Sequence, residues 1–294
     1  LKRPRGSDMA MNMNHALYRR RRLANAWGMV TSMLAMALGL SVLLWILVVL
    51  FTNGFAAMDW NILTKDTPAP GTDGGGLRNA IVGSLLIVGL SVLVATPVGI
   101  LAGIYLTEYG DQSKTAELTR FVTDIMLSAP SIVIGLFVYA ILVATLGGFS
   151  GYAGSLALAL IAVPVVMRTT ENMLRLVPSS LREAAFALGA PRWKVSLSVT
   201  LRAAKSGVIT GVLLAIARIS GETAPLLFTA LNNQFYNDDM SKPMANLPVV
   251  IFQFAMSPYD NWVNLAWGGA LLITMSVLGL NILARTFFRE KYSV

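Results

Sequence analysis

The sequence predicts an all-α, polytopic membrane protein with six transmembrane helices. Hydrophobic residues make up 55% of the 294 residues and charged residues only 13%, and the mean hydropathy is +0.64. Soluble domains carry about 25% charged residues, so a chain with this composition cannot cover a water-facing surface. In addition, long intervals without a single charge alternate with short charged segments, as expected when helices cross a bilayer repeatedly.

The charge-free intervals locate the helices in chain order. The first two lie between Arg22 and Asp59 and between Arg78 and Glu108. The next interval is too long for one helix of about 20 residues, and the glycine-rich segment 147–151 divides it into two. The predicted helices span residues 26–52, 79–107, 121–146, 153–176, 203–221 and 263–286.

Two long segments lie between these helices on the side opposite the N-terminus. They cover residues 53–78 and 222–260, and the apolar stretch 247–252 in the second is expected to be partly helical. Residues 1–8, LKRPRGSD, are expected to be a vector-derived scar, with Met9, Met11 or Met13 as the natural start. Residues 9–25 then form a basic N-terminal segment, and residues 26–290 form the transmembrane domain.

The distribution of Lys and Arg sets the orientation, because cytoplasmic loops carry an excess of them. With the N-terminus inside, sixteen of these residues beyond the first eight positions fall on the cytoplasmic side or at its helix ends. Only Lys65, Arg78 and Lys242 fall outside, and Arg218 lies within a helix. We therefore expect both termini in the cytoplasm. This pattern also explains the net charge of +8, so the expected partner is the lipid bilayer and not nucleic acid.

The composition also excludes several kinds of chemistry. The chain has no cysteine, so neither disulfides nor thiol catalysis is available, and His15 is its one histidine. A His-ligated metal site is therefore not expected, nor is a catalytic residue. The triplet Gly74-Gly75-Gly76 lacks the Lys-Ser/Thr of a phosphate-binding loop, so the chain is not expected to hydrolyse ATP.

One cytoplasmic segment has the pattern of a helix–turn–helix. Glu183-Ala184-Ala185 is followed after three residues by Gly189, and Pro191 begins a second helical pattern. Small residues permit close approach to a partner, and Arg182 and Glu183 offer ion pairs. From the pattern alone, two interpretations are equally good: a unit that fits a groove in a partner protein, or a helix lying on the bilayer.

Arg218 is the charged residue inside a predicted span. Such a residue costs about 2.5–3.5 kcal/mol on insertion scales and needs a partner or a water-filled cavity. Glu222 lies four residues further on, so one interpretation is a structural ion pair. The other is an anion pathway, because a guanidinium matches phosphate oxygens. Ser220, Gly221 and Thr223 predict a helix interruption and Pro225 a new helix start, whose free N–H groups would favour an anion.

The third predicted helix carries a similar pattern. Pro130 removes a backbone donor, and Ser128 and Ser131 flank it. A packing kink and a lining of the pathway are equally good interpretations. Elsewhere, Gly99 with Gly103 and Gly207 with Gly211 give a weak indication of close helix contacts.

The segment beginning at Glu183 resembles the EAA loop of ABC importer permeases, with Arg202 standing where proline is usual. Three further segments, 127–137, 168–174 and 217–225, are similar to permeases of bacterial phosphate importers. The similarity covers nearly all of the chain after the basic N-terminus. It implies a type I ABC importer permease fold in the bacterial inner membrane.

The resemblance also implies partners and roles. The partners are a second homologous permease subunit, two copies of an ATP-binding subunit that bind ATP and Mg²⁺, and a periplasmic phosphate-binding protein. Residues 176–202 would form the coupling loop, with Arg182, Glu183, Ala184, Ala185 and Gly189 facing the ATPase. Arg218, Glu222, Ser220, Thr223, Ser128 and Ser131 would line the substrate path.

Three alternatives stay open. The first is a permease of the same class for sulfate or molybdate. Only the three segments that resemble phosphate permeases argue against it. A secondary transporter would want internal repeats and several intramembrane carboxylates, and Glu222 is the one acid near a helix interior. A membrane enzyme is disfavoured by the missing Cys and the single His.

Overall fold

Every regular element of the structure is a helix within residues 15–72, 74–110 and 113–287, the ranges that this computed structural model describes. The helices are α1 (His15–Ala57), α2 (Trp60–Thr64), α3 (Arg78–Glu108), α4 (Lys114–Ser128), α5 (Ser131–Val138), α6 (Ala144–Leu146), α7 (Gly151–Arg175), α8 (Ser179–Ala187), α9 (Arg192–Lys194), α10 (Leu201–Ala203), α11 (Lys205–Ser220), α12 (Ala224–Leu227), α13 (Leu247–Ala255) and α14 (Asp260–Phe287). Two π-helical segments, Tyr139–Val143 and Val195–Thr200, join α5 to α6 and α9 to α10. The expected vector scar and start methionines lie outside the described residues.

Four of these helices are long and apolar enough to cross a membrane, namely α1, α3, α7 and α14. Two bent pairs of helices pass the same test when each pair is taken together, which raises the count to six. The prediction of an all-α membrane fold is therefore confirmed, and its six spans match the larger count.

The third predicted helix, 121–146, is wrong as one continuous element. The chain forms α4 and then the segment Ser131–Val143, and the two meet at an angle of 107°. The cause is Pro130, because a proline disfavours helical backbone in the residue before it. Ala129 is accordingly extended, with a ψ of 137°.

The fifth predicted helix, 203–221, begins too late. Helix already starts at Arg192 and runs to Ala203, and α11 then continues at an angle of 75° after a break at Ala204. The first helix also exceeds its predicted range of 26–52, because it includes the four arginines 19–22 and continues to Ala57. Arginine is a good helix former, so the charges that end a span do not end the helix.

Within the described range, residues 15–52, the first part of α1, form one compact unit. The remaining residues form a second unit around α7. Leu158, Ala162 and Val166 of α7 are buried in its core, with Ile87 of α3 and Ile219 of α11. Hydroxyls also join the helices, since the Ser91 Oγ donates to the Ser155 carbonyl at 2.9 Å. The candidate sites described below, after α8 and at the end of α11, lie in this second unit.

Both predicted glycine pairs pack against α7. A Cβ atom at Gly99 would lie 2.7 Å from Val166, and one at Gly103 would lie 2.7 Å from Thr170. On the other side, a Cβ atom at Gly207 would lie 2.4 Å from Met173, and one at Gly211 would lie 2.4 Å from Thr169. The two glycine faces thus bring α3 and α11 close to α7, as small residues do in membrane helix packing.

The two long segments between spans are partly helical. Segment 53–78 contains the end of α1 and α2, and segment 222–260 contains α12 and α13. The helical prediction for 247–252 is confirmed, with the Asn246 side chain capping α13 by accepting from the Val249 amide at 3.1 Å. In the intervening loop, hydrogen bonds from the Ser241 hydroxyl and amide, and then Lys242, lower the pKa of Asp239 to about 2.

The orientation of the spans can be tested by labelling. Single cysteines at positions 183, 66 and 239 are free of background because the chain has no cysteine. The Lys and Arg distribution predicts that an impermeant thiol reagent labels positions 66 and 239 in intact cells, and position 183 only after lysis. Labelling of position 183 but not of 66 in intact cells would reverse the orientation.

Candidate functional site

The candidate pathway site lies where α11 ends. The helix stops at Ser220, the Glu222 amide turns back to the Ile219 carbonyl at 3.3 Å, and α12 begins at Ala224 with Pro225 in its first turn. The predicted interruption is therefore confirmed. Because α12 has four residues, however, its dipole is small, and the expected anion site at its N-terminus stays a prediction.

Arg218 and Glu222 form a loose pair at this break. The Arg218 Nε and Glu222 Oε1 atoms are 3.9 Å apart, and the side chains are 42% and 17% exposed. Within the described part of the chain, no hydrogen bond is donated by the Arg218 guanidinium. A pair of this length and exposure contributes at most about 1 kcal/mol, and it leaves the donors of Arg218 available to a ligand.

Among the described residues, no hydrogen bond joins the side chain of Ser220 or Thr223 to Arg218, and their lining roles stay predictions. Ser220 lies two residues from Arg218 and so on another helix face. Its Oγ donates to the Ile216 carbonyl at 2.7 Å, and it lines an apolar cavity of about 210 Å³ between α3, α11, α13 and α14. Thr223 is half-buried, and its carbonyl accepts from the Leu227 amide at 3.1 Å, inside the turn that starts α12.

The two predicted pathway segments meet through α5. A Cβ atom on Gly135 would lie 2.6 Å from the Pro225 Cα, so α5 packs directly on α12. Ser131 is half-buried in the first turn of α5, whereas the exposed Ser128 donates to the Ile125 carbonyl at 2.9 Å. The structure therefore brings α5 to the break beside Arg218 but leaves Ser128 bonded within α4. The lining roles of both serines stay predictions.

The second candidate surface is the turn after α8. Gly189 has a φ of +79°, its amide bonds the Phe186 carbonyl at 2.9 Å, and the Ala190 amide bonds the Ala185 carbonyl at 3.3 Å. These two bonds form a Schellman motif, which needs a left-handed residue at the glycine position. The predicted helix–glycine–helix unit is confirmed, with α9 beginning after Pro191.

The surface of this turn is exposed. Glu183 and Ala184 are exposed, Ala185 is half-buried and Leu188 is 89% exposed. Other exposed apolar side chains in this part of the chain belong to Leu181, Phe186 and Trp193. Exposed apolar side chains collected on a charged turn are typical of a surface that contacts a protein or a membrane, and the predicted coupling role of this turn stays a prediction.

Arg182 differs from the other predicted coupling residues because its side chain is engaged within the chain. Its Nε donates to Glu108 Oε1 at the end of α3 at 3.1 Å. Its Nη atoms donate to the carbonyls of Leu174 and Val177 at 2.7 and 2.8 Å. Arg182 therefore caps the end of α7 and fastens α8 to it, while its predicted contact with an ATPase stays a prediction.

One group of charged residues was missed by the sequence analysis. Glu171 of α7 is buried and accepts hydrogen bonds from Arg120, Arg168 and Arg175. The spacing of Arg168, Glu171 and Arg175 along one helix face was a visible signal. Arg120 was not predictable, because it reaches Glu171 from a separate helix, α4. Among the described residues, no group of three or more His, Cys, Asp and Glu side chains is placed to hold a metal.

The fold is that of type I ABC importer permeases. A chain of the MetNI methionine ABC transporter, in an inward-facing conformation, matches with a TM-score of 0.59 at 18% identity, covering 71% of this chain and 93% of that one. A chain of the bacterial alginate ABC transporter matches with a TM-score of 0.62 at 12% identity, covering 93% and 98%. The family described as "Binding-protein-dependent transport system inner membrane component" matches residues 95–289. The chain belongs to this family and is a multi-pass inner-membrane protein.

Within that class, the chain is similar to transport permease subunits called "Phosphate transport system permease protein PstA". The protein of that name from Yersinia pestis is 59% identical over 271 residues, 92% of each chain. That from Haemophilus influenzae is 55% identical over 283 residues, 96% of this chain and 100% of its own. The Mycobacterium leprae protein is 37% identical over 273 residues, 91% of this chain and 90% of its own.

Proposed function

We propose that this chain is a membrane subunit of an ATP-driven phosphate importer and forms half of its translocation path. Two findings support this substrate class. The relatives named as phosphate permeases are similar over nearly the whole chain. The second finding is the guanidinium of Arg218, which can bind an anion. It is half-exposed at a helix break and, among the described residues, has one ion-pair contact, at 3.9 Å from Glu222.

The partners follow from the same proposal. A second homologous permease subunit completes the path, and a periplasmic phosphate-binding protein delivers the anion. Two copies of an ATP-binding subunit bind ATP and Mg²⁺ and dock on the turn formed by Glu183, Ala184, Ala185 and Gly189, while Arg182 holds that turn to the membrane helices. Both termini face the cytoplasm, and this chain itself hydrolyses no ATP.

In the path, Arg218 binds the passing anion through its guanidinium donors. A planar fork of N–H groups matches two phosphate oxygens and is always charged. Glu222 keeps the guanidinium in place when the path is empty, and its carboxylate can accept a hydrogen bond from the protonated oxygen of hydrogen phosphate. Because Arg218 and Glu222 are 3.9 Å apart, their ion pair is weak, and little free energy is lost when the anion takes the place of Glu222 beside the guanidinium.

The substrate class is tested with the purified complex in lipid vesicles. We expect the phosphate-loaded binding protein to raise ATP hydrolysis and to drive uptake of labelled phosphate. Sulfate and molybdate serve as controls, because they match phosphate in shape and differ in protonation. Stimulation by sulfate or molybdate in place of phosphate would favour a permease for that oxyanion, and uptake without any ATPase subunit would favour a secondary transporter.

A further inference from the structure

Glu171 is the most buried charged residue of the described chain, with 1% of its side chain exposed. Its Oε1 atom accepts from Arg120 Nε at 2.8 Å and from Arg175 Nη2 at 2.7 Å, and its Oε2 atom accepts from Arg168 Nη1 at 3.0 Å. A buried carboxylate is tolerated when its charge and lone pairs are satisfied in this way.

The same group fastens α4 to two other helices. Arg168 of α7 also donates to both carboxylate oxygens of Asp124 in α4, at 2.7 and 2.9 Å. Arg120 of α4 donates to the Leu106 carbonyl of α3 at 2.7 Å. We call Glu171, Arg120, Arg168 and Asp124 the α4 clamp.

Apolar packing alone holds α4 weakly. Of its fifteen residues, all described, only Ala116 and Thr123 are buried. The large side chains of Leu118, Phe121 and Ile125 are exposed. The position of α4 against α7 therefore depends on the directed hydrogen bonds of the clamp more than on a shared core.

The clamp lies between the two candidate surfaces. Toward the end of α7, Arg182 fastens the coupling turn to the Leu174 and Val177 carbonyls. In the other direction, α4 leads through the bend at Pro130 into α5, whose Gly135 rests on Pro225 beside the Arg218 break. These contacts form a continuous route from the turn at Gly189 to Arg218.

We propose that Glu171 is a positioning residue that makes α4 follow α7, so that movement of the coupling turn reaches the α5–α12 contact. The proposal rests on the proposed function of the turn and of Arg218. The clamp transmits movement because its bonds are stiff and directional. The other attachments of α4 lie mostly at its start, where Ala116 packs on Leu106 and Met167 and the Thr115 hydroxyl meets the Tyr105 hydroxyl at 2.7 Å. Glu171 itself touches neither the anion nor the ATPase.

The test is Glu171→Gln, which keeps shape but removes the charge that three arginines share. Phosphate uptake and ADP formation are measured in the same sample, with the complex in lipid vesicles and the binding protein loaded with phosphate. We expect assembly and ATP hydrolysis to persist while phosphate imported per ADP falls about tenfold. The matched control is Asp66→Asn, which removes the carboxylate of the Arg78 pair at 2.8 Å and should leave the ratio unchanged.

Asp124→Asn covers the case in which Glu171→Gln does not assemble. Asp124 is exposed, so its replacement leaves folding intact, and we expect a fall of about threefold in the same ratio. The proposal is overturned if phosphate imported per ADP is unchanged in both variants. If Glu171→Gln does not assemble, an unchanged ratio in Asp124→Asn alone overturns it. The clamp would then only stabilise the fold. If the unmodified complex shows no phosphate-stimulated hydrolysis, the proposed function fails instead.

Discussion

Arg218→Gln is expected to abolish phosphate uptake while the complex still assembles and binds ATP. The glutamine keeps hydrogen-bonding groups but lacks the charge that attracts the anion. The expected loss is about 2–5 kcal/mol, the range for a charge-assisted hydrogen bond and a partner left unpaired. Loss of the ion pair with Glu222 does not account for this, because an exposed pair contributes about 0–1 kcal/mol.

The double variant Arg218→Gln with Glu222→Gln separates the two roles of the arginine. If Arg218 only neutralises Glu222, the double variant has no uncompensated charge and uptake recovers. If Arg218 binds phosphate, uptake stays absent. Near-normal uptake by the double variant would therefore contradict anion binding and leave the structural pair.

Two further variants sharpen the measurement. Arg218→Lys should be impaired as well, since an ammonium group cannot reproduce the two-pronged geometry of a guanidinium. Arg78→Gln is the matched control, because Arg78 is equally half-exposed and paired with Asp66 but lies at the start of α3. Uptake is measured in cells without other phosphate importers, and assembly is checked by co-purification.

Gly189→Val is expected to stop uptake by releasing the ATPase subunit. A β-branched residue at a φ of +79° is strained, so the Schellman motif that ends α8 should open. The cost is about 1–3 kcal/mol and falls on the turn itself. Nothing lies within 4 Å of a Cβ atom at this position, so the rest of the fold and its membrane insertion should be unaffected.

Gly189→Asn is the matched control, because asparagine tolerates left-handed backbone and the site has room for its side chain. It should retain the ATPase subunit. Glu183→Lys reverses an exposed charge without straining the backbone and should weaken the same contact. Full co-purification and normal uptake in both Gly189→Val and Glu183→Lys would mean that this turn is only a surface feature.

The elements predicted from local sequence were predicted well. Gly189 and Pro191 marked the turn and the new helix, and Pro225 marked the restart after Arg218, because each acts through its own backbone geometry. The glycine pairs gave only a weak indication, because small residues permit close helix contact but do not specify the partner helix. The membrane spans followed from charge-free intervals, which depend only on composition.

What could not be predicted depends on contacts between distant segments. Pro130 indicated a disturbance, but whether it gives a mild kink or a bend of 107° depends on how α4 is held. That in turn depends on Arg120 and Glu171, which are 51 positions apart. The role of Arg182 was likewise hidden, because its acceptors Glu108, Leu174 and Val177 come together only in the folded chain.

The close approach of α3 and α11 to α7 also constrains how the protein can change shape. At the glycine positions no layer of side chains separates the helices, so sliding would drive Val166 or Thr169 into backbone. We therefore expect these three helices to turn as a rigid body. Alternation between two states then falls to a hinge, and the bend at Ala204 is a place where the backbone is already free of regular helix.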